Sequence, residues 1–347
     1  MPILTTTIGA FPKPSYVPTP DWFTVGKPVT RLYQTYLQNL PPDIDEILDR
    51  ATQEVVQRQV ALGIDVPTDG EVRRDDYVSY QCRHIDGFDF DNLIEATFRN
   101  GAWTGEVPQI IGPVSLDQPI LTRDYKVAQA ATSQPVKMTL PGPLTITGST
   151  IDSYYKDEAR LGADLAKVLN QEVLALVAAG CRWIQIDEPV FARNPEKALE
   201  FGFDNLERCF AGVPNDVERV VHMCCGYPSY LDQMDYAKAD PRSYFELAEA
   251  IDRSTITAVS FEDAHRYNDL TLIKQFQTTK LIWGSVAIAS SRVETVSEIT
   301  SRLEAVLHHI DAKRLMVAPD CGLGYLTDEL VQQKLRNMVE AVNLVSG

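Results

Sequence analysis

The sequence predicts a single (β/α)8 TIM-type barrel, and three observations carry that prediction. Eight short apolar runs, rich in Val, Ile and Thr, recur along 347 residues. Longer amphipathic stretches lie between most of them, the alternation that builds a parallel sheet coated by helices. The polar residues capable of chemistry collect at the C-terminal ends of the runs, the mouth where barrels of this kind place their active sites.

In chain order the runs are Leu4–Ile8, Ile64–Thr68, Val136–Leu140, Trp183–Ile186, Val220–Met223, Ala258–Phe261, Leu281–Val286 and Leu315–Ala318. After the first run, residues 9–42 are dense in proline and read as a long ordered loop over one end of the barrel. From Asp43 to Leu62, Ile44, Ile47, Leu48, Ala51 and Val55 recur at helical spacing, and Gly63 supplies a C-terminal stop. Residues 76–135 form an aromatic, Gly/Asp-rich insertion between the second and third runs, with a small hairpin of its own. A second long helix is predicted over 157–179, ending at Gly180. Further helices fit 241–251, 269–277, 293–310 and 328–345. No GxGxxG follows any run, so no dinucleotide site is indicated. The prediction is one domain over 1–347.

Composition narrows the partners. With 32 Lys+Arg against 48 Asp+Glu, the net charge of −16 repels phosphate backbones and anionic bilayers, which excludes nucleic acid and membrane as expected partners. There is no basic, apolar leader and no stretch approaching the ~18 apolar residues of a membrane span. Six cysteines are too sparse for a disulfide scaffold in a chain this long, and a reducing, cytoplasmic setting is expected.

The run ends hold the chemistry. His222 and Cys224 are two residues apart at the end of the fifth run, so an extended chain points both to one face. Glu262 ends the sixth run and Cys321 follows the eighth. One imidazole, two thiols and one carboxylate form a plausible tetrahedral zinc set. The competing account makes the cysteines small buried hydrophobes and His222 a hydrogen-bonded core residue; convergence of three run ends on one mouth favours the metal. Two thiolates and a carboxylate outweigh the charge of a zinc ion, which makes such a site a poor generator of hydroxide. It suits capture of an incoming thiol as thiolate, with Glu262 the ligand that yields its place. Glu71 and Asp187, at the ends of the second and fourth runs, either receive a substrate ammonium group or pair with neighbours such as Arg73 and Arg74. Cys225 reads as core, on the face opposite Cys224. His265, His308 and His309 have no inferred partner and read as surface or helix residues.

Taken together, Thr5-Thr6-Thr7-Ile8-Gly9-Ala10-Phe11-Pro12, Asp69-Gly70-Glu71 with Arg74 and Asp76, Gly142-Pro143-Leu144-Thr145-Ile146, Ile184-Gln185-Ile186-Asp187-Glu188-Pro189, His222-Met223-Cys224, Ser260-Phe261-Glu262 and Pro319-Asp320-Cys321-Gly322-Leu323 resemble the catalytic C-terminal half of cobalamin-independent methionine synthases and their half-length relatives. The resemblance spans nearly the whole chain, in order. It implies a barrel in which zinc, held by His222, Cys224, Glu262 and Cys321, activates homocysteine for methylation. It further implies that Ile8 and Gly9 contact the amino-acid carboxylate and that Glu71 with Asp187 hold its ammonium. Three departures stand out. Ala10 replaces the family's Ser, removing one hydrogen bond to the carboxylate. Ser149 replaces a Trp that stacks on the folate, and Ala287-Ile288-Ala289 replaces an Asp-x-His segment whose His protonates the departing folate. The thiol side of the reaction is kept and the methyl-donor side is altered. The donor is then methyltetrahydrofolate bound differently or a methylated corrinoid protein. Alternatives are another zinc-dependent thiol alkyltransferase, such as one using coenzyme M, or a metal-binding barrel without activity.

Overall fold

The computed structural model describes residues 2–25, 29–98, 103–233 and 235–346. Ten strands run β1 (Leu4–Thr5), β2 (Asp86–Phe98), β3 (Trp103–Ser115), β4 (Lys137–Pro141), β5 (Ile151–Asp152), β6 (Trp183–Asp187), β7 (Glu218–Met223), β8 (Ala258–Phe261), β9 (Lys280–Gly284) and β10 (Leu315–Ala318). Seven form one parallel sheet in the order β1-β10-β9-β8-β7-β6-β4.

The second predicted run, 64–68, forms no strand. It meets the two edge strands through isolated parallel bridges, Val66 to Thr6 and Thr68 to Lys137. Two backbone bonds accompany them: the Val66 N–H donates to the Thr5 carbonyl (3.0 Å) and the Lys137 N–H to the Pro67 carbonyl (2.8 Å). Pro67 has no N–H to give, so a regular ladder cannot run through this segment.

The sheet is apolar on both faces, as parallel strands covered on both sides must be. Ile8, Val66, Val220, Ala258, Ile282, Met316 and Ala318 form an inner cluster. Their chain neighbours Val221, Val259, Leu281, Trp283 and Val317 belong to the larger cluster under the helices. Period-two alternation therefore decides which side chains face inward, and it carries His222 and Ser260 inward with Val220 and Ala258.

The helices follow the predicted spans closely. Ile44–Ala61 buries Leu48, Ala51 and Val55 and stops at Gly63, whose φ of +90° suits glycine. Glu158–Ala178 opens on Asp157, whose carboxylate accepts the Arg160 N–H, and stops at Gly180. Arg242–Arg253, Val296–Leu307 and Asp328–Ser346 cover the remaining sheet; Thr295 and Glu298 form a capping box for the middle one. The stretch predicted as helix over 269–277 is a 3-10 helix, Leu270–Gln275.

Two regions are more structured than expected. The proline-dense loop holds short helices at Trp22–Val25 and Thr30–Leu37. The insertion carries a long antiparallel hairpin, β2–β3, which pairs in parallel with β5 as a second, three-stranded sheet. Pro28 of the loop and residues 99–102 of the insertion lie outside the described residues. Among the described residues no helix is long and apolar enough to cross a membrane, and all six cysteines are unpaired.

Candidate metal centre

β7, β8 and β10 end at one mouth of the sheet, with β9 between the last two, and their ends bring one donor group together. One donor atom from each of His222, Cys224, Glu262 and Cys321 lies within 4.8 Å of every other. His222 Nε2 is 3.3 Å from Cys321 Sγ, while Nδ1 bonds the Ser260 hydroxyl at 3.0 Å, so the ring is held with Nε2 toward the thiols. The Cys321 thiol donates toward Cys224; that contact holds Cys224 well below the usual thiol range and pushes Cys321 well above it. Burial, with the Cys224 charge beside it, pushes Glu262 well above the usual carboxylate range, and its Oε1 is buried without a hydrogen-bond partner. An orphaned carboxylate oxygen with two thiols and an oriented imidazole fits a zinc ion: the donors are N, S, S and O, with His222, Cys224 and Glu262 buried and Cys321 half-buried.

The other Glu262 oxygen has a partner outside that group. Cys225 Sγ donates to Glu262 Oε2 (2.8 Å) and lies 3.1 Å from His265 Nε2. Cys225 is buried, as expected, but it is not simply core: β7 ends at Met223, strand alternation ends with it, and Cys225 turns to Glu262. The expectation for His265 is corrected as well. It is no surface residue; its Nδ1 bonds Asp320 Oδ2 at 2.8 Å, and Asp320 also accepts the backbone N–H groups of Asp263, Ala264 and His265.

A cavity of about 410 Å³ opens onto the group. His222, Cys224 and Cys321 line it, with Ile8, Gly9, Ala10, Glu71 and Asp187; Glu262 does not, and stands behind the other three. Both carboxylates on the wall are displaced upward. Burial raises Glu71 to about 7, opposed by Arg74 and reinforced by Asp187. Burial raises Asp187 to about 6, opposed by His222 and the Gln185 amide. Glu71 does pair with Arg74, one of the two roles expected of it: Oε1 takes the guanidinium at 3.2 Å and the Thr139 hydroxyl at 2.8 Å. It nevertheless remains on the cavity wall. Below them, burial pulls the Lys137 ammonium down to about 7, against the charge of Asp187.

The first strand's end is fixed from two sides. Gln185 Nε2 donates to the Ile8 carbonyl and to Asp187 Oδ1, both at 2.7 Å, and the Thr68 hydroxyl donates to the Gly9 carbonyl at 2.8 Å. A Cβ at Gly9 would sit 2.8 Å from Glu71 Oε1, so only glycine lets that carboxylate come so close. The Ala10 carbonyl accepts the Leu323 N–H at 2.7 Å, tying this turn to the segment after Cys321.

The roof is made by the two added regions. Trp22 and Phe23 from the proline-dense loop and Phe98, Val107 and Pro108 from the hairpin line the cavity. Trp22, Phe23 and Tyr227 pack ring to ring at 4.5–5.9 Å. Ser149 also lines the cavity. Ala287 and Ala289 are buried, their carbonyls taken by Lys334 Nζ and the Asp232 N–H.

Sequence reading missed Gln185, Ser260, Cys225, His265 and Asp320. Gln185 and Ser260 had a usable signal: each stands two residues before a predicted site residue and so shares its face.

Similarity to known proteins agrees with this geometry. Residues 3–344 match the family profile described as cobalamin-independent synthase, catalytic domain. A methionine synthase of Sulfolobus acidocaldarius is 30% identical over 343 residues, covering 98% of this chain and 91% of that protein. One from Saccharolobus solfataricus is 29% identical, covering 99% and 96%. The solved structure of a B12-independent methionine synthase from a Shewanella species, in complex with selenomethionine, superposes with a TM-score of 0.88 at 27% identity, covering 99% of this chain and 98% of that one. A Methanosarcina mazei methyltransferase shares the fold, with a TM-score of 0.60 at 12% identity, covering 100% and 95%.

Proposed function

The chain belongs to the cobalamin-independent methionine synthase catalytic-domain family and is a methyltransferase, and from that premise we propose that it methylates the thiol of homocysteine to give methionine at a zinc site held by His222, Cys224, Glu262 and Cys321. The observation that carries the reading is the convergence of those four donors, three of them, His222, Cys224 and Cys321, on the wall of the cavity that Glu71, Asp187, Ile8 and Gly9 also line. When bound, zinc holds an incoming thiol as thiolate at neutral pH, where a free thiol with pKa ~8.5 is mostly protonated.

The chain's own residues do the rest. Glu71 and Asp187 receive the substrate ammonium; the backbone of Ile8, Gly9 and Ala10 faces its carboxylate, with Ala10 offering no side-chain hydroxyl. Glu262 would hold the ion with the other three and would be the one to yield to the substrate sulfur, a role that its position behind the cavity wall supports. Ser260 and Gln185 hold His222 and Asp187 in place. The selenomethionine in the Shewanella relative is an amino acid of the same shape as the product, and both ammonium-facing carboxylates favour homocysteine over a thiol that lacks an amine, such as coenzyme M.

The methyl donor is methyltetrahydrofolate or a methylated corrinoid protein, received under the aromatic roof. The sheet is a (β/α)8 barrel in one domain, with 64–68 as its eighth stave. The enzyme is cytoplasmic, and its charge of −16 supports neither nucleic acid nor membrane as a partner. Zinc-loaded protein supplied with homocysteine and each donor in turn should form methionine with one of them. Methionine from neither, with zinc bound, would contradict the reading.

A further inference from the structure

We propose that Cys225, His265 and Glu262 form a second metal position, for zinc or a similar divalent cation, which shares Glu262 with the first. The inference rests on the zinc reading of the first position and deepens it.

Cys225 Sγ is 2.8 Å from Glu262 Oε2 and 3.1 Å from His265 Nε2, and one donor atom from each of the three lies within 4.8 Å of the others. Two ligands on a tetrahedral zinc stand ~3.5 Å apart, given bonds of ~2.0 Å to N or O and ~2.3 Å to S. A small widening of the cluster therefore accommodates an ion. One sulfur, one nitrogen and one carboxylate oxygen suit zinc and exclude a preference for magnesium or calcium.

The outer shell is already built. Asp320 takes His265 Nδ1 at 2.8 Å and is itself fixed by three backbone N–H groups, leaving Nε2 as the outward donor. Such carboxylate–imidazole pairs are how proteins orient a metal-binding histidine. Cys225 has one S–H and two short contacts, so a hydrogen bond of its own accounts for only one of them. A cation accounts for both. The competing account is a protonated Glu262 that donates to the sulfur while the thiol turns to His265 Nε2.

Charge points the same way. Cys224, Cys321 and Glu262 supply three negative charges to one dication in a buried setting. A second dication with Cys225 as thiolate, its proton released to solvent, balances four negative charges with four positive ones.

The arrangement also opens the first position. The pull on Glu262 Oε2 from the Cys225 side would ease its release from the first position when a thiol arrives, leaving His222, Cys224 and Cys321, the three that line the cavity, to hold the first ion.

Zinc per chain, measured by elemental mass spectrometry after reconstitution with excess zinc and gel filtration, tests this. The proposal expects two zinc ions in the wild type, and one each in Cys225→Ala, His265→Ala and Cys321→Ser. Cobalt(II) titration gives a second readout: the second equivalent adds a thiolate-to-cobalt absorption band that Cys225→Ala lacks. Cys225→Ser and His265→Asn, closer in shape, repeat the measurement should the alanine variants fail to fold. One zinc in the wild type, unchanged in Cys225→Ala and lost in Cys321→Ser, overturns the second position and leaves the first standing. Two ions in both the wild type and Cys225→Ala overturns it equally. No zinc in the wild type overturns both.

Discussion

His222 Nε2 and Cys321 Sγ lie 3.3 Å apart although 99 residues separate them in the chain. The two belong to strands that are not neighbours, so the contact exists only because β7, β8, β9 and β10 curl around a common mouth. Cys321→Ser is predicted to lose zinc from this position and methionine formation together. Ser260→Ala removes only the Nδ1 partner of His222, and should weaken zinc binding by roughly 10- to 100-fold, the usual size of an outer-shell effect. Metal content and turnover measured on the same preparations check both.

Glu71 has two duties that different substitutions separate. Glu71→Ala leaves the buried Arg74 guanidinium without one of its partners, and breaking such a pair costs ~3–5 kcal/mol. Glu71→Gln keeps a hydrogen-bonding group beside Arg74 and Thr139 but removes the charge that receives an ammonium. It should fold, and raise the KM for homocysteine about 10- to 100-fold, the equivalent of ~1.5–3 kcal/mol for a charged hydrogen bond. An unchanged KM would move the amine site elsewhere.

The same carboxylates set a pH dependence. Ionised Glu71 and Asp187 bind the ammonium and protonated ones do not; their pKa values are about 7 and about 6. Binding of methionine, which carries no thiol to titrate, should therefore strengthen as pH rises through that window and weaken as it falls. Calorimetric titration between pH 5 and 8 reads this directly. Glu71→Gln should flatten the upper part of the curve.

Gly9→Ala places a Cβ 2.8 Å from Glu71 Oε1, closer than packed atoms tolerate. The carboxylate must shift, and a displacement of this kind near a reacting centre can cost ~100-fold in rate. The expected outcome is an intact fold and intact zinc content, with a loss in kcat/KM for homocysteine. Thermal unfolding and zinc content, measured alongside kinetics, separate this from a folding defect.

Much of this was legible in the sequence because parallel strands buried on both faces announce themselves as apolar runs, and because the residue after a run lands at the mouth. That logic gave the positions of His222, Glu262, Asp187 and Glu71. It failed at 64–68, where Pro67 breaks the ladder although the run is apolar. It failed again at Cys225, since alternation stops where the strand stops. His265 carried no periodic signal: its role comes from Asp320, which reaches back 55 residues to hold it. Gln185 was visible as the residue sharing the face of Asp187, but its bond to Ile8 spans 177 residues and only the folded sheet reveals it.

In the proposed reaction the substrate sulfur binds at the group formed by His222, Cys224, Glu262 and Cys321. Zinc-edge X-ray absorption, with and without homocysteine, measures it most directly. The account predicts that homocysteine adds a sulfur neighbour and removes an oxygen or nitrogen one from the average zinc shell. A zinc shell that homocysteine leaves unchanged would contradict it.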